Sequence, residues 1–272
     1  MRLELNSNSL ALIASVMLVV LFGCQTSTSH SKRQAANILA SDKAGRGSNV
    51  ADANSEERVQ VQQEIKLLPV DEAKNDPSFQ LFRSDLLSAV KSHDADFLLG
   101  ALHPAVENGY DIEKGVDEFT KRWKPSDPES SVWDVLSSIL TGGGSFSERD
   151  GHREFCGPYV VSQWSKVVQQ LPKGSDSLDY VVITGQDVAV RRDPRVTGPI
   201  VTTLSYDVVK SVPNSQVLDR STAGFSSWIK IKTPNGQEGF VPDSYIQGPM
   251  DFGACFRRTS GKWVISELAA RE

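Results

Sequence analysis

Three cysteines, four histidines and one group of arginines are the side chains with the most chemistry to offer, and their spacing separates their uses. Cys24 closes an apolar run, LALIASVMLVVLFGC, that follows a short start whose only basic side chain is Arg2. The apolar stretch, residues 10–23, is about 14 residues long, too short to cross roughly 30 Å of hydrocarbon and suited to the core of an export signal. Once such a leader is removed, Cys156 and Cys255 are the remaining thiols, and in an oxidising compartment two thiols can pair. The other reading is two buried, inert thiols. Closing a loop of about 100 residues contributes up to about 4.7 kcal/mol in the chain-entropy model. His30, His93, His103 and His152 occur singly, without an HExxH motif or a close pair, so no metal site is expected. Cys156 is followed by Gly157 and Pro158 instead of a helix start that would lower its thiol pKa, which argues against a nucleophilic role. Residues 142–144, Gly-Gly-Gly, lack the Lys and Ser/Thr of a phosphate loop and read as a helix stop. Asp150 and Glu154 flank His152, but loops collect such residues. No catalytic constellation and no cofactor are implied.

The candidate binding groups lie further along. Tyr206, Trp228, Phe240 and Tyr245 are aromatic rings that could line a groove for an extended ligand, with Trp228 and Phe240 also suited to filling an interior. Arg191, Arg192 and Arg195 crowd one loop with Asp193, where guanidinium groups suit carboxylates, or where they simply form a solvated charged loop. The net charge of -5, from 29 basic and 34 acidic residues, offers no broad basic field, so nucleic acid is not an expected partner.

Positioning these groups requires folded elements, and the chain divides into five parts. After the leader, residues 1–23, the stretch 24–75 is rich in Ser, Asn, Asp, Lys, Gln and Ala without a sustained period, and reads as a solvated tether spanning near 40 Å, in which residues 59–70 could form a short helix or strand. From Asp76-Pro77, Phe79, Phe82, Leu86 and Val90 form one face of a helix. A shorter helix follows Asp94, carries Phe97, Leu98, Ala101 and Leu102, and stops before Pro104. Another holds Val116, Phe119 and Trp123, and a fourth opens at Asp127-Pro128 and continues through Leu140. Residues 155–164 offer β-type material, so 76–178 reads as a helix-rich α+β domain. Short strands at YVVIT, DVAVR, PIVTTLS, DVVKSV, SWIKIKT and EGFV, with Asn235-Gly236 as a tight turn, predict a small all-β barrel over 179–247. Residues 248–272 read as a β-hairpin whose FGACFRR strand returns to the α+β domain and brings Cys255 near Cys156.

Three resemblances add to this. Leu21, Phe22, Gly23 and Cys24 resemble the lipobox of bacterial lipoproteins, which implies a lipidated Cys24 and a membrane anchor; Gln25 then implies the periplasmic face of the outer membrane in a cell with two membranes. Val188, Val190, Arg191 and Pro194, then Trp228, Ile231, Gly236, Gly239, Phe240, Val241, Tyr245 and Ile246, resemble the bacterial Src-homology-3-like domain. The early helices, long central segment and closing aromatic strand resemble nuclear-transport-factor-2-like cone folds. Together the parts are similar to an uncharacterised family of exported bacterial barrel-domain proteins. The expected function is that of a non-enzymatic envelope lipoprotein whose barrel binds cell-wall peptide or an envelope protein. The alternative is an enzyme or small-ligand protein with its site in the α+β domain.

Overall fold

The structure, a computed structural model, describes residues 64–219 and 226–270. The leader, Cys24 and the first part of the expected tether lie outside the described residues. Folded structure begins earlier than Asp76, which corrects the boundary placed there. In residues 64–68, Ile65 and Leu67 are buried while Glu64, Lys66 and Leu68 face outward, the alternation of a strand. The segment is held by Val208 N–H donating to the Ile65 carbonyl (2.8 Å), Leu67 N–H donating to the Tyr206 carbonyl (2.9 Å), and the Lys66–Asp207 ion pair (2.9 Å). Further on, Gly144 N–H donates to the Val70 carbonyl and Glu72 N–H to the Gly144 carbonyl, both at 2.9 Å. One strap of chain is therefore stitched to both halves of the fold.

The first half packs helices on one face of a sheet. Helix α1 (Pro77–Ser92) starts where Asp76 Oδ1 accepts from the N–H groups of Ser78 and Phe79, satisfying donors the helix itself cannot. Helix α2 (Ala95–Gly100) is capped by Asp94 in the same way. It ends earlier than the sequence suggested. Leu102 opens strand β1 (Leu102–Glu107) instead, and Pro104 is tolerated because β1 is an edge strand. Helix α3 (Val116–Trp123) follows. The Asp127-Pro128 pair makes a turn, with Glu129 N–H donating to Asp127 Oδ1, and helix α4 (Val132–Thr141) begins only afterwards. Gly142 caps α4, and Gly143, at φ +68°, lies so close to the strap that an added Cβ would stand 2.4 Å from the Val70 carbonyl oxygen. Strands β2 (Ser145–Arg149) and β3 (His152–Gly157) come next.

Of the β-type material at residues 155–164, residues 155–157 lie in β3, while 159–164 belong to helix α5 (Tyr159–Val168). Its buried residues Tyr159, Val160, Gln163 and Val167 follow a helical period that outweighs local β propensity. The chain then builds strands β4 (Tyr180–Ile183), β5 (Val188–Arg191), β6 (Ile200–Leu204), β7 (Val208–Ser211), β8 (Val217–Asp219), β9 (Ser226–Lys232), β10 (Glu238–Pro242) and β11 (Ile246–Gln247), and ends in β12 (Phe252–Thr259) and β13 (Lys262–Ala270).

Two sheets result. The five-stranded one has the order β1-β13-β12-β3-β2, with β1 parallel to β13 and the other neighbours antiparallel. Its core pools Phe79, Leu86, Phe119, Trp133 and Leu136 from the helices with Phe155, Phe256 and Ile265 from the strands. The second runs β11-β4-β7-β9-β10-β5-β6, with β8 paired to β9. Ile183, Val188, Val190, Leu204, Val209, Ile231 and Val241, from most of its strands, meet in one apolar cluster. Strands β4 and β7 are apolar on both faces for a reason. Ile183 and Val209 point into that cluster, while Tyr180, Val182 and Val208 pack with Ile65, Leu67, Tyr159, Val160 and Val167. The Asn235-Gly236 turn joins β9 to β10, but only Gly236 has positive φ (+85°), and Gly236 N–H donates to the Thr233 carbonyl. The loop is thus longer than a two-residue hairpin turn. Mixed α and β content, with the helices early and the strands in two sheets, is the architecture.

Candidate functional site

An open cleft of about 890 Å³ lies where helix α4 faces the β11 end of the second sheet. Asp134, Val135, Ser138 and Ile139 of α4 form one wall, with Val70 and Asp71 of the strap beside them. Thr184, Asp243, Ser244 and Ile246 form the other, and Asp251 and Phe252 lie where the chain re-enters the first sheet. Apolar Val135, Ile139, Ile246 and Phe252 interleave with hydroxyls and carboxylates, the mixture expected of a ligand site. Asp71 is matched by Arg83 through two 2.9 Å hydrogen bonds; burial opposes its charge, but Arg83, the Ala73 N–H and the Lys74 charge together outweigh it and hold the carboxyl below its ordinary value. Among the described residues no Lys, Arg or His lines the cleft.

Tyr159 also lines it. The residue is 5% exposed, and its hydroxyl is buried with no hydrogen-bond partner. Burial, with a smaller contribution from neighbouring Tyr206, pushes its pKa up to about 12, so it stays protonated and neutral.

The binding residues expected from the sequence fall in different places. Tyr245 is 46% exposed, with its ring against Gly185, and its carbonyl accepts from Thr184 N–H (2.9 Å). Tyr206 adopts a left-handed conformation (φ +61°), and its N–H donates to the Gly185 carbonyl (3.2 Å), so one turn, residues 184–185, anchors both tyrosines. Trp228 is buried. Its register partner is Pro242, which puts it on the opposite face of β9 from Ile229 and Ile231, away from the apolar cluster it was expected to help fill. Phe240, opposite Lys230 and Arg191, shares that outer face. Arg191 spends its guanidinium on the Gly198 carbonyl (2.7 Å), Arg195 pairs with Asp193 (3.1 Å), and Arg192 is exposed. None of the three reaches the cleft, so the structure does not unite arginines and tyrosines in one site.

Comparison of the chain with protein-family models, with curated proteins and with solved structures finds no match. The chemistry has to be read from the residues alone.

The face of the first sheet opposite the helices is polar. Arg149 bridges the buried carboxylates of Glu154 (2.8 Å) and Glu267 (2.7 Å). Burial opposes the guanidinium charge, but Glu267 and Glu154 outweigh it and raise its pKa. Beside it, Arg257 lies 3.1 Å from the His103 ring; burial, then the Arg257 charge, lowers the imidazole pKa. Cys156 and Cys255, opposite one another in the β3–β12 register, form a disulfide (S–S 2.07 Å). Glu154 converges with the two sulfurs, yet sulfurs bonded to each other offer no thiolate to a metal. His93 stacks on Trp133, and His152 sits at the β2–β3 turn. Among the described residues no helix is long and apolar enough to cross a membrane.

The cleft was not foreseen. Its walls come from residues 70, 134, 159 and 243, far apart in the chain. The only local hints were the Ile65/Leu67 alternation and the apolar face of 132–140.

Proposed function

We propose that this protein is a non-enzymatic lipoprotein of the bacterial envelope, anchored through acyl chains on Cys24, that holds a peptide-like ligand in the cleft between α4 and the 243–246 corner. In this reading the second sheet is a Src-homology-3-like module and the five-stranded domain resembles the nuclear-transport-factor-2-like cone. The apolar cluster drawn from most strands of the second sheet supports the first resemblance, and helices stacked on one face of the first sheet support the second. The ligand is a segment of cell-wall peptide or of an envelope protein. The observation that carries the reading is the cleft itself: an open slot of about 890 Å³, walled by both halves, with apolar side chains between hydroxyls and carboxylates. Among the described residues no histidine lines it, and the ion pairs opposite the helices satisfy one another, so a binding role is favoured over catalysis.

The test is co-sedimentation of the mature, full-length chain with purified sacculi, alongside the variant Ser138→Trp. Ser138 is exposed on α4 and faces the cleft, so an indole there plugs the slot and spares the core. Retention of the parent chain with loss in the variant is the expected result. No retention, or equal retention of both, would remove the support for this role.

A further inference from the structure

Away from the cleft, on the face of the first sheet opposite the helices, three buried side chains meet with the spacing of metal ligands. One ligand atom from each of Glu154, Cys156 and Cys255 lies within 4.8 Å of the other two. Register explains the convergence. Glu154 and Cys156 are two residues apart on β3 and so share a face, and Cys255 stands directly opposite Cys156 on β12. The neighbouring carboxylates already hold a cation. Arg149 is bonded at once to buried Glu154 (2.8 Å) and to buried Glu267 (2.7 Å), and Glu267 is the register partner of Cys255 on β13. The two sulfurs therefore lie beside a pair of carboxylates that share one positive charge, where burial makes uncompensated negative charge costly. In the oxidised protein the sulfurs are bonded to each other. The chain is synthesised with both as thiols, so a dithiol state precedes that bond.

We propose that the dithiol form of this protein binds a thiophilic divalent cation of the zinc class through Cys156 Sγ, Cys255 Sγ and a Glu154 carboxylate oxygen, with water in the fourth position. Binding forms two metal–sulfur bonds and one metal–oxygen bond and sends the two thiol protons to solvent, with no change of oxidation state. Two thiolates and one carboxylate suit zinc, whereas calcium and magnesium take oxygen ligands alone. Zn–S bonds of about 2.3 Å in a tetrahedron set two sulfurs roughly 3.8 Å apart, close to the contact distance of unbonded sulfurs, so the adjacent strands need not separate to accept the ion. Arg149, whose side chain is 41% exposed, gives up Glu154 and keeps Glu267, which opens a way in from solvent. Disulfide and metal are thus alternative staples between β3 and β12. Oxidation passes two electrons from the bound thiolates to a disulfide oxidant, joins the sulfurs and releases the ion.

Anaerobic titration of the mature, full-length chain tests this. The protein is reduced with a phosphine, freed of metal, and titrated with Co²⁺ and then Zn²⁺, with near-ultraviolet circular dichroism recorded alongside. The expected result is a folded reduced chain that takes up one Co²⁺, shows the visible bands of a tetrahedral site and thiolate-to-cobalt charge transfer, and yields the ion to equimolar Zn²⁺. Saturating Zn²⁺ should also raise the melting temperature of the reduced chain, because the ion binds the folded state. Glu154→Gln keeps both thiols and should weaken Co²⁺ at least about tenfold while leaving the charge-transfer bands in place. Cys255→Ala should abolish the spectrum. Slower alkylation of the reduced parent by iodoacetamide when Zn²⁺ is present, by at least about tenfold, reads the same site without any substitution. Equal binding by the oxidised protein, an octahedral cobalt spectrum, unchanged alkylation with Zn²⁺, affinity indifferent to a folded Glu154→Gln variant, or loss of the near-ultraviolet signal on reduction overturns the proposal. The outcome with sacculi bears only on the cleft, which none of the three ligands lines.

Discussion

Breaking the Cys156–Cys255 bond should cost the fold several kcal/mol without changing its topology. The two cysteines are 99 residues apart, and the loop they close contains α5 and the whole second sheet. In the chain-entropy model a loop of about 100 residues stabilises the folded state by about 4.7 kcal/mol, acting through the denatured chain, with measured values commonly about 2–4. Native geometry does not depend on the bond alone. Strand β12 pairs with β3 from Ala254 to Arg257, and Phe155 and Phe256 pack beneath that register. The double variant Cys156→Ala/Cys255→Ala should therefore keep its near-ultraviolet circular dichroism and lose about 3–5 kcal/mol in urea unfolding. At roughly 2–4 °C per kcal/mol for a domain of this size, its melting temperature falls by about 6–20 °C. The parent protein, unfolded in urea with a thiol reductant present throughout, should match the variant to within about 1 kcal/mol. Equal stability of the oxidised and variant proteins, or two titratable thiols in protein purified without reductant, would refute the reasoning.

Four other outcomes can be checked. Phe79→Ala removes a fully buried ring that meets Phe155, Phe256 and Trp263, and should cost about 3–5 kcal/mol by chemical denaturation. Ile65→Asp places a carboxylate in the contact between strap, α5 and β4, and should speed proteolysis between the two halves, as read by mass spectrometry of early fragments. Cys24→Ser should abolish incorporation of labelled fatty acid and release the protein from membrane fractions; unchanged fractionation would sink the anchor. His103 has its folded-state pKa below the ordinary 6.5, so as pH falls the unfolded chain takes up the proton first and this residue destabilises the fold below about pH 6.5. His103→Gln should flatten that part of the stability–pH curve between pH 7.5 and 5.5, and parallel curves for parent and variant would count against it.

Legibility in the sequence followed how local each signal was. Helix α1 could be placed because Asp76, Pro77 and the apolar face starting at Phe79 lie within a few residues of one another. The strands of the second sheet announce themselves by alternation and by turn residues. Helix α5 was read as a strand because Tyr159, Val160 and Val161 favour β structure, while the evidence for a helix is spread out to Gln163 and Val167. The strap was hard to read because Ile65 and Leu67 are paired with chain roughly 140 residues away, and alternation over five residues is a weak signal. The candidate site fared worst. Asp134, Asp243 and Tyr159 share no motif, and only the folding of three distant segments makes them neighbours.

The order β1-β13-β12-β3-β2 places β12 and β13, which follow the whole second sheet in sequence, in the middle of the first domain's sheet. A ribosome delivers β1, β2 and β3 long before β12 and β13, and until those emerge the apolar faces of α1, α3 and α4 have half a floor to rest on. Nascent chains should accordingly stay open and dependent on chaperones until β12 and β13 have emerged. Premature termination near residue 250 would thus dismantle the domain whose helices were built first.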